Sequence, residues 1–127
     1  SWISHVCVLH SDTMPEDGMW LGKLGSSLQR LKTGGVKMVH ARSDNFGSPL
    51  SHLNSSRDQK TEDVVLSGED YLPMFASLCH RRLFAEVGAI SEDLATNPMQ
   101  EYAKRMRAKG FSQAVVSNCW VRHGAAN

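Results

Sequence analysis

Apolar residues fall in short blocks along this chain, and their spacing alternates between strand-like and helical. Val6-Cys7-Val8-Leu9 is a compact apolar run that reads as a buried strand, and it stops at His10-Ser11-Asp12-Thr13-Met14-Pro15, a polar turn with a Pro stop. Over residues 17–32, Trp20, Leu21, Leu24, Leu28 and Leu31 recur at helical spacing, and Gly34-Gly35 ends the pattern. Glu16 and Asp17 at its start and Arg30 and Lys32 at its end suit the helix dipole. Val36-Lys37-Met38-Val39-His40-Ala41 is a second strand by the same criterion.

Residues 42–70 break this rhythm. They hold three basic and six acidic residues, many Ser and Asn, and few large apolar side chains. That composition predicts a long polar loop or insertion, with a short strand at Val64-Val65-Leu66. Order returns at residues 71–79, partly strand, and residues 81–87 read as a short helix closed by Gly88. Asn97-Pro98-Met99-Gln100 opens a further helix. Asn is a good N-cap, Pro suits the first helical position, and Gln is placed to close a capping box. Met99, Tyr102 and Met106 make its apolar stripe, Glu101 and Arg105 are an i,i+4 pair, and Gly110 ends it. Residues 113–116 and 119–121 read as two short strands leading to His123-Gly124. Strands alternating with helices over 127 residues predict one α/β domain.

Composition narrows the class. Lys and Arg number 14 against 13 Asp and Glu, a net charge of +1, which excludes a chain-wide basic surface for nucleic acid. With 41% hydrophobic residues, wholesale disorder is excluded too. No apolar run approaches the ~20 residues of a membrane helix. The opening Ser1-Trp2-Ile3-Ser4-His5 lacks the basic start and apolar stretch of a signal peptide. Cys7, Cys79 and Cys119 are odd in number and far apart, each inside an apolar segment. That usage predicts reduced, buried thiols in a cytoplasmic protein.

Four groups of residues can carry chemistry. His10 and Asp12 lie just past a strand, where ligands bind in open α/β sheets. They can share a divalent cation, the carboxylate suiting Mg²⁺ or Mn²⁺ and the imidazole favouring Mn²⁺; the competing account is a polar strand end in which Asp12 caps the turn. His123 alone reads as a surface residue. The helix over residues 98–109 carries Lys104, Arg105, Arg107 and Lys109 against Glu101. Its basic face suits a diphosphate or plain solvation, and Glu101 suits a general base or an ion pair with Arg105. Arg81-Arg82 suits anion contact or a solvated helix start. No P-loop, GxGxxG, CxxC or G-x-S-x-G motif occurs.

Taken in order, these segments resemble the family 2 glycosyltransferases, the inverting group with the GT-A fold. The family's apolar strand ending in Asp-x-Asp, followed by Pro and a Gly-Trp-Leu-like helix start, is similar to residues 8–15 with Gly18-Met19-Trp20-Leu21. Its apolar strand, basic pair, Phe and Val-Gly-Gly-Phe-Asp-Glu resemble residues 78–92. Its Arg-Leu-Arg-x-x-Gly-Tyr resembles Arg105-Met106-Arg107-Ala108-Lys109-Gly110-Phe111, and its closing strand and His resemble Val121-Arg122-His123-Gly124. The likeness covers residues 5–41 and 71–126.

The resemblance implies a partial GT-A-like mixed sheet flanked by helices, the C-terminal, acceptor-side half of such a domain, with the nucleotide-base half lying before Ser1. It implies transfer of a sugar from a nucleotide sugar to an acceptor hydroxyl with inversion. A divalent cation, Mn²⁺ or Mg²⁺, would sit on Asp12, with His10 and His123 as further ligands, and stabilise the departing diphosphate. Arg81, Arg82 and Arg105 would contact substrate. His10 replaces the family's first Asp. Aligned on Arg105, the family's acidic pair falls on Pro98-Met99, which leaves Glu101 as the substitute base. The alternative expectation is a non-catalytic GT-A-derived domain that binds a partner or pairs with itself through an exposed sheet edge.

Overall fold

The computed structural model describes residues 4–93 and 97–124. The opening residues read for a signal peptide and the last positions of the family likeness fall partly outside that range. The chain forms a mixed α/β domain. In order it runs β1 (His5–Leu9), β2 (Thr13–Pro15), α1 (Trp20–Leu31), β3 (Val36–Ser43), β4 (Val64–Val65), β5 (Ala76–His80), α2 (Arg82–Val87), α3 (Pro98–Ala108) and β6 (Ser112–His123). The six strands form one sheet in the order β1-β5-β3-β6-β2, with β4 also on β6. β3 and β6 pair in parallel and every other pairing is antiparallel. No helix among the described residues is long and apolar enough to cross a membrane.

Both faces of the sheet centre are covered, which is why β3 is buried at nearly every position and carries no polar alternation. Met38 and Val39 are neighbours and so point to opposite faces. Val39 pairs with Leu78. α1 covers that face, coming close enough that a Cβ on Gly25 would lie 3.9 Å from the Leu78 side chain. Met38 pairs with Gln113, whose amide lies 3.5 Å from Met38 Sδ and 3.6 Å from Met106 Sδ of α3. α3 therefore covers the other face. Tyr102 and Met106 of its stripe are fully buried, and Met99 packs at the margin.

Local signals set the helix ends. Asn97 caps α3, accepting from the N–H groups of Met99 and Gln100 at 3.2 and 3.1 Å. Gln100 does not close a capping box; its side chain reaches Glu69 at 3.4 Å. α1 starts three residues later than its periodicity suggests. Asp17 accepts from Met19 N–H and pairs with Lys23, both at 2.7 Å, so it fixes the turn that leads into the helix and lies outside it. Gly35, at φ 87°, takes the left-handed conformation that ends the 3₁₀ turn after α1.

Three further expectations are revised. β1 is an edge strand with alternating exposure, so Cys7 is exposed while Cys79 and Cys119 are buried. Burial pushes the Cys79 thiol up to about 11 and the Cys119 thiol up to about 12, and both stay protonated. The two short C-terminal strands are one continuous β6, because the polar Ser117-Asn118 break is a bulge: Ala41 pairs with Val116, but the next residue, Arg42, pairs with Trp120. Arg42 holds the bulge by donating to the Ser117 carbonyl at 3.0 Å. Finally, the segment between β3 and β4 is not uniformly solvated, since Phe46, Leu50 and Ser55 are buried.

Candidate metal centre

β1 ends at Leu9, and the chain reverses through His10-Ser11-Asp12-Thr13, with the Thr13 N–H donating to the His10 carbonyl at 3.1 Å. It then pairs as β2 with the end of β6, Thr13 opposite His123. The Gly124 N–H donates to the Asp12 carbonyl at 3.1 Å. This three-residue ladder joins the two ends of the chain and brings His10, Asp12 and His123 together. One ligand atom from each lies within 4.8 Å of the other two. His123 Nε2 is 3.6 Å from Asp12 Oδ1, and His10 Nδ1 is 3.9 Å from the same oxygen.

The tautomer of His123 follows from its partners. Nδ1 lies 2.7 Å from the Asn45 carbonyl, which can only accept, so Nδ1 carries the proton. In the neutral ring Nε2 then presents its lone pair beside Asp12, the arrangement a metal-bound imidazole requires. The ring is fixed from other sides as well. It stacks on Phe75 at 3.7 Å between centroids with 5° between planes. Its backbone N–H donates to Asp44 Oδ1 at 3.0 Å. Met74, just before Phe75, is buried at φ 64°, a left-handed conformation that costs energy for a side chain of this size.

Ligands on one Mn²⁺ or Mg²⁺ at about 2.1 Å lie about 3 Å from each other, so shifts of under about 1 Å would bring these three onto one ion. His10 and Asp12 have side chains about half exposed (54% and 46%), whereas His123 is 20% exposed. The donors are thus anchored on the protein side and open to solvent on the other, which leaves coordination positions for a ligand. Thr13 Oγ1, across the ladder from His123, is buried without a hydrogen-bond partner. Two imidazoles and one carboxylate favour Mn²⁺ and later first-row ions over Mg²⁺.

The other candidate residues lie elsewhere. Arg81 and Arg82 follow β5, whose last residue His80 pairs with His5 at the start of β1. Five strand residues at about 3.4 Å each put them roughly 17 Å from the cluster, beyond contact with a diphosphate held there. Arg105 is engaged within the fold. It donates to the carbonyls of Val87 at 3.1 Å and Ala89 at 2.7 Å, and to Glu101 at 2.8 Å. It ties the turn after α2 to α3 and leaves little donor capacity for substrate. Glu101 is the i,i+4 partner of Arg105 in the first turn of α3. It lines a separate cleft with Asn97, Lys104 and Arg107 and takes no part in the cluster.

Asn45, Asp44 and Phe75 escape sequence reasoning because they support His123 from irregular segments, where no periodicity marks a residue. The single sequence signal was Phe75 among large apolar residues in a stretch that is only partly strand. No family model, curated protein or solved structure matches the chain.

Proposed function

We propose that this chain is the acceptor-side part of a GT-A-like glycosyltransferase domain, in which a divalent cation on His10, Asp12 and His123 holds the diphosphate of a nucleotide sugar. The observation that carries this reading is the meeting of three donors from opposite ends of the sequence. They meet at the strand end where the resemblance implies a cation. The cation would act as a Lewis acid toward the departing diphosphate. The chain's own contribution is to orient His123 through the Asn45 carbonyl and the Phe75 ring. Glu101 is the proposed acceptor base, and its 2.8 Å bond from Arg105 would have to open for its carboxylate to take the acceptor's proton.

The test is thermal unfolding with Mn²⁺ and a nucleoside diphosphate sugar at millimolar concentration. Ligand that binds only the folded state raises the melting temperature. A rise that depends on Mn²⁺ is expected with both present, and Asp12→Ala is expected to lose that Mn²⁺-dependent part. No rise in the unaltered protein removes the active-transferase reading.

One observation favours a second reading, a non-catalytic domain that pairs with a partner or itself. β1 has no neighbour on its outer side among the described residues, and Leu9, Met14, Met19 and Leu21 are exposed. Unpaired edges and apolar patches are commonly covered by association. A stable dimer in light scattering together with no ligand response would carry this reading over the first.

A further inference from the structure

At the far end of the β1–β5 pair from the metal centre lies a cleft of about 360 Å³, within the size range of small-molecule sites. Its floor is apolar, made by Leu28, Val36 and Leu83, all buried. Its rim is basic. Lys32, Lys37 and Arg82 line it together with His5 and His80, against one carboxylate, Glu86. These come from separate segments: β1, the turn after α1, the start of β3, the end of β5 and α2. Among the described residues none of Lys32, Lys37 and Arg82 forms an ion pair, although the sequence has nearly as many acids as bases.

His80 sharpens the picture. Its Nδ1 accepts the Arg82 backbone N–H at 3.0 Å, so in the neutral ring the proton is on Nε2, which can only donate. The His5 ring meets it edge-on at 5.0 Å. The His80 imidazole is held below its ordinary value by desolvation and then by the nearby Arg82, His5 and Arg81, with Glu86 opposing. Around the cleft Lys32, Lys37 and Arg82 outnumber the single Glu86, with Lys37 lying over the Phe111 ring at 5.1 Å.

We infer that this cleft binds a small phosphorylated molecule, its phosphate on Lys32, Arg82 and His80 and its apolar body on the Leu28–Val36–Leu83 floor. A phosphate dianion matches several cations better than a single carboxylate does, and guanidinium with ammonium is a usual phosphate-binding pair. The site is independent of the metal centre, which lies at the opposite end of β1.

The test uses inorganic phosphate and phenyl phosphate as probes, titrated by NMR in the presence of EDTA so that the metal centre is silent. Saturable binding is expected, with backbone shifts around Lys32, Lys37 and Arg82, and phenyl phosphate is expected to bind tighter than inorganic phosphate. Lys32→Ala combined with Arg82→Ala should weaken phenyl phosphate binding by about tenfold or more. These are surface changes, so the variant's melting temperature should stay close to that of the unaltered protein. Asp12→Ala should leave phosphate binding unchanged. Binding that does not saturate, or that the double variant leaves intact, overturns the inference. So does capture by phosphatidylglycerol vesicles with no binding of either soluble probe, which would place the anion on a membrane surface.

Discussion

Phe75→Ala is expected to lower the melting temperature by about 10–15 °C, from a loss of about 3–5 kcal/mol. Phe75 is 1% exposed and sits in an aromatic group with His40, Phe46 and His123, at ring separations of 4.4, 5.3 and 3.7 Å. Truncation opens a cavity that close-packed neighbours fill only in part. It also removes the surface on which the His123 ring lies flat, so Mn²⁺ affinity should fall along with stability. Phe75→Leu separates the two effects. It keeps most of the buried volume but not the flat face, so it should recover much of the stability and little of the affinity. Thermal melts together with a Mn²⁺ titration read both. Equal recovery of the two would mean that Phe75 serves packing alone.

Stability should also fall as pH drops from about 6.5 toward 4, because of His40. This residue is fully buried. Its Nε2 accepts the Ala76 N–H at 3.1 Å, so Nδ1 carries the proton and donates to the Ala41 carbonyl at 2.7 Å. Burial pushes its pKa down to about 4, with His123 and His10 adding to the depression and the Ala41 bond opposing it. The unfolded chain, with an ordinary imidazole near 6.5, takes up a proton first as pH falls. The stabilisation is therefore complete above about pH 6.5 and is lost progressively toward pH 4, about 3 kcal/mol in all and about 2 kcal/mol of it by pH 5. Urea unfolding at pH 7 and pH 5 measures this. His40→Gln should be less stable at pH 7 but show a smaller drop between the two pH values, since it lacks the titrating group. An undiminished drop in the variant would assign the pH dependence to other groups.

Much of the secondary structure was legible because it rests on periodicity and caps. The α1 stripe, the Asn97-Pro98 start and the Gly110 stop of α3 are signals that tertiary packing did not override. What could not be read is what depends on pairing between distant segments. A three-residue strand such as β2 has no period to detect, and Thr13-Met14-Pro15 looked like a turn. Its pairing with β6 nevertheless places His123 beside Asp12. The bulge at Ser117-Asn118 looked like a strand end because both side chains are polar, yet its partner is distant in sequence: Asn118 Oδ1 accepts from the Ser27 hydroxyl of α1 at 3.0 Å. The chemistry of individual residues was legible as type but not as place. His10 and Asp12 were visible from their position after a strand, while His123 alone looked like a surface residue. Arg81 and Arg82 were read as contacts for the metal-bound substrate because a sequence does not reveal which end of an antiparallel pair a residue occupies. They lie at the opposite end from the cluster.

In the proposed site one cation is held between the end of β1 and the end of β6. Mn²⁺ titration followed by electron paramagnetic resonance tests it most directly, because the signal of free Mn²⁺ disappears on binding. One saturable site is expected. Asp12→Ala and His123→Ala should each weaken it, on the order of a hundredfold, and Mg²⁺ should compete poorly. Absence of binding at millimolar Mn²⁺, or binding that both substitutions leave unchanged, would contradict the account.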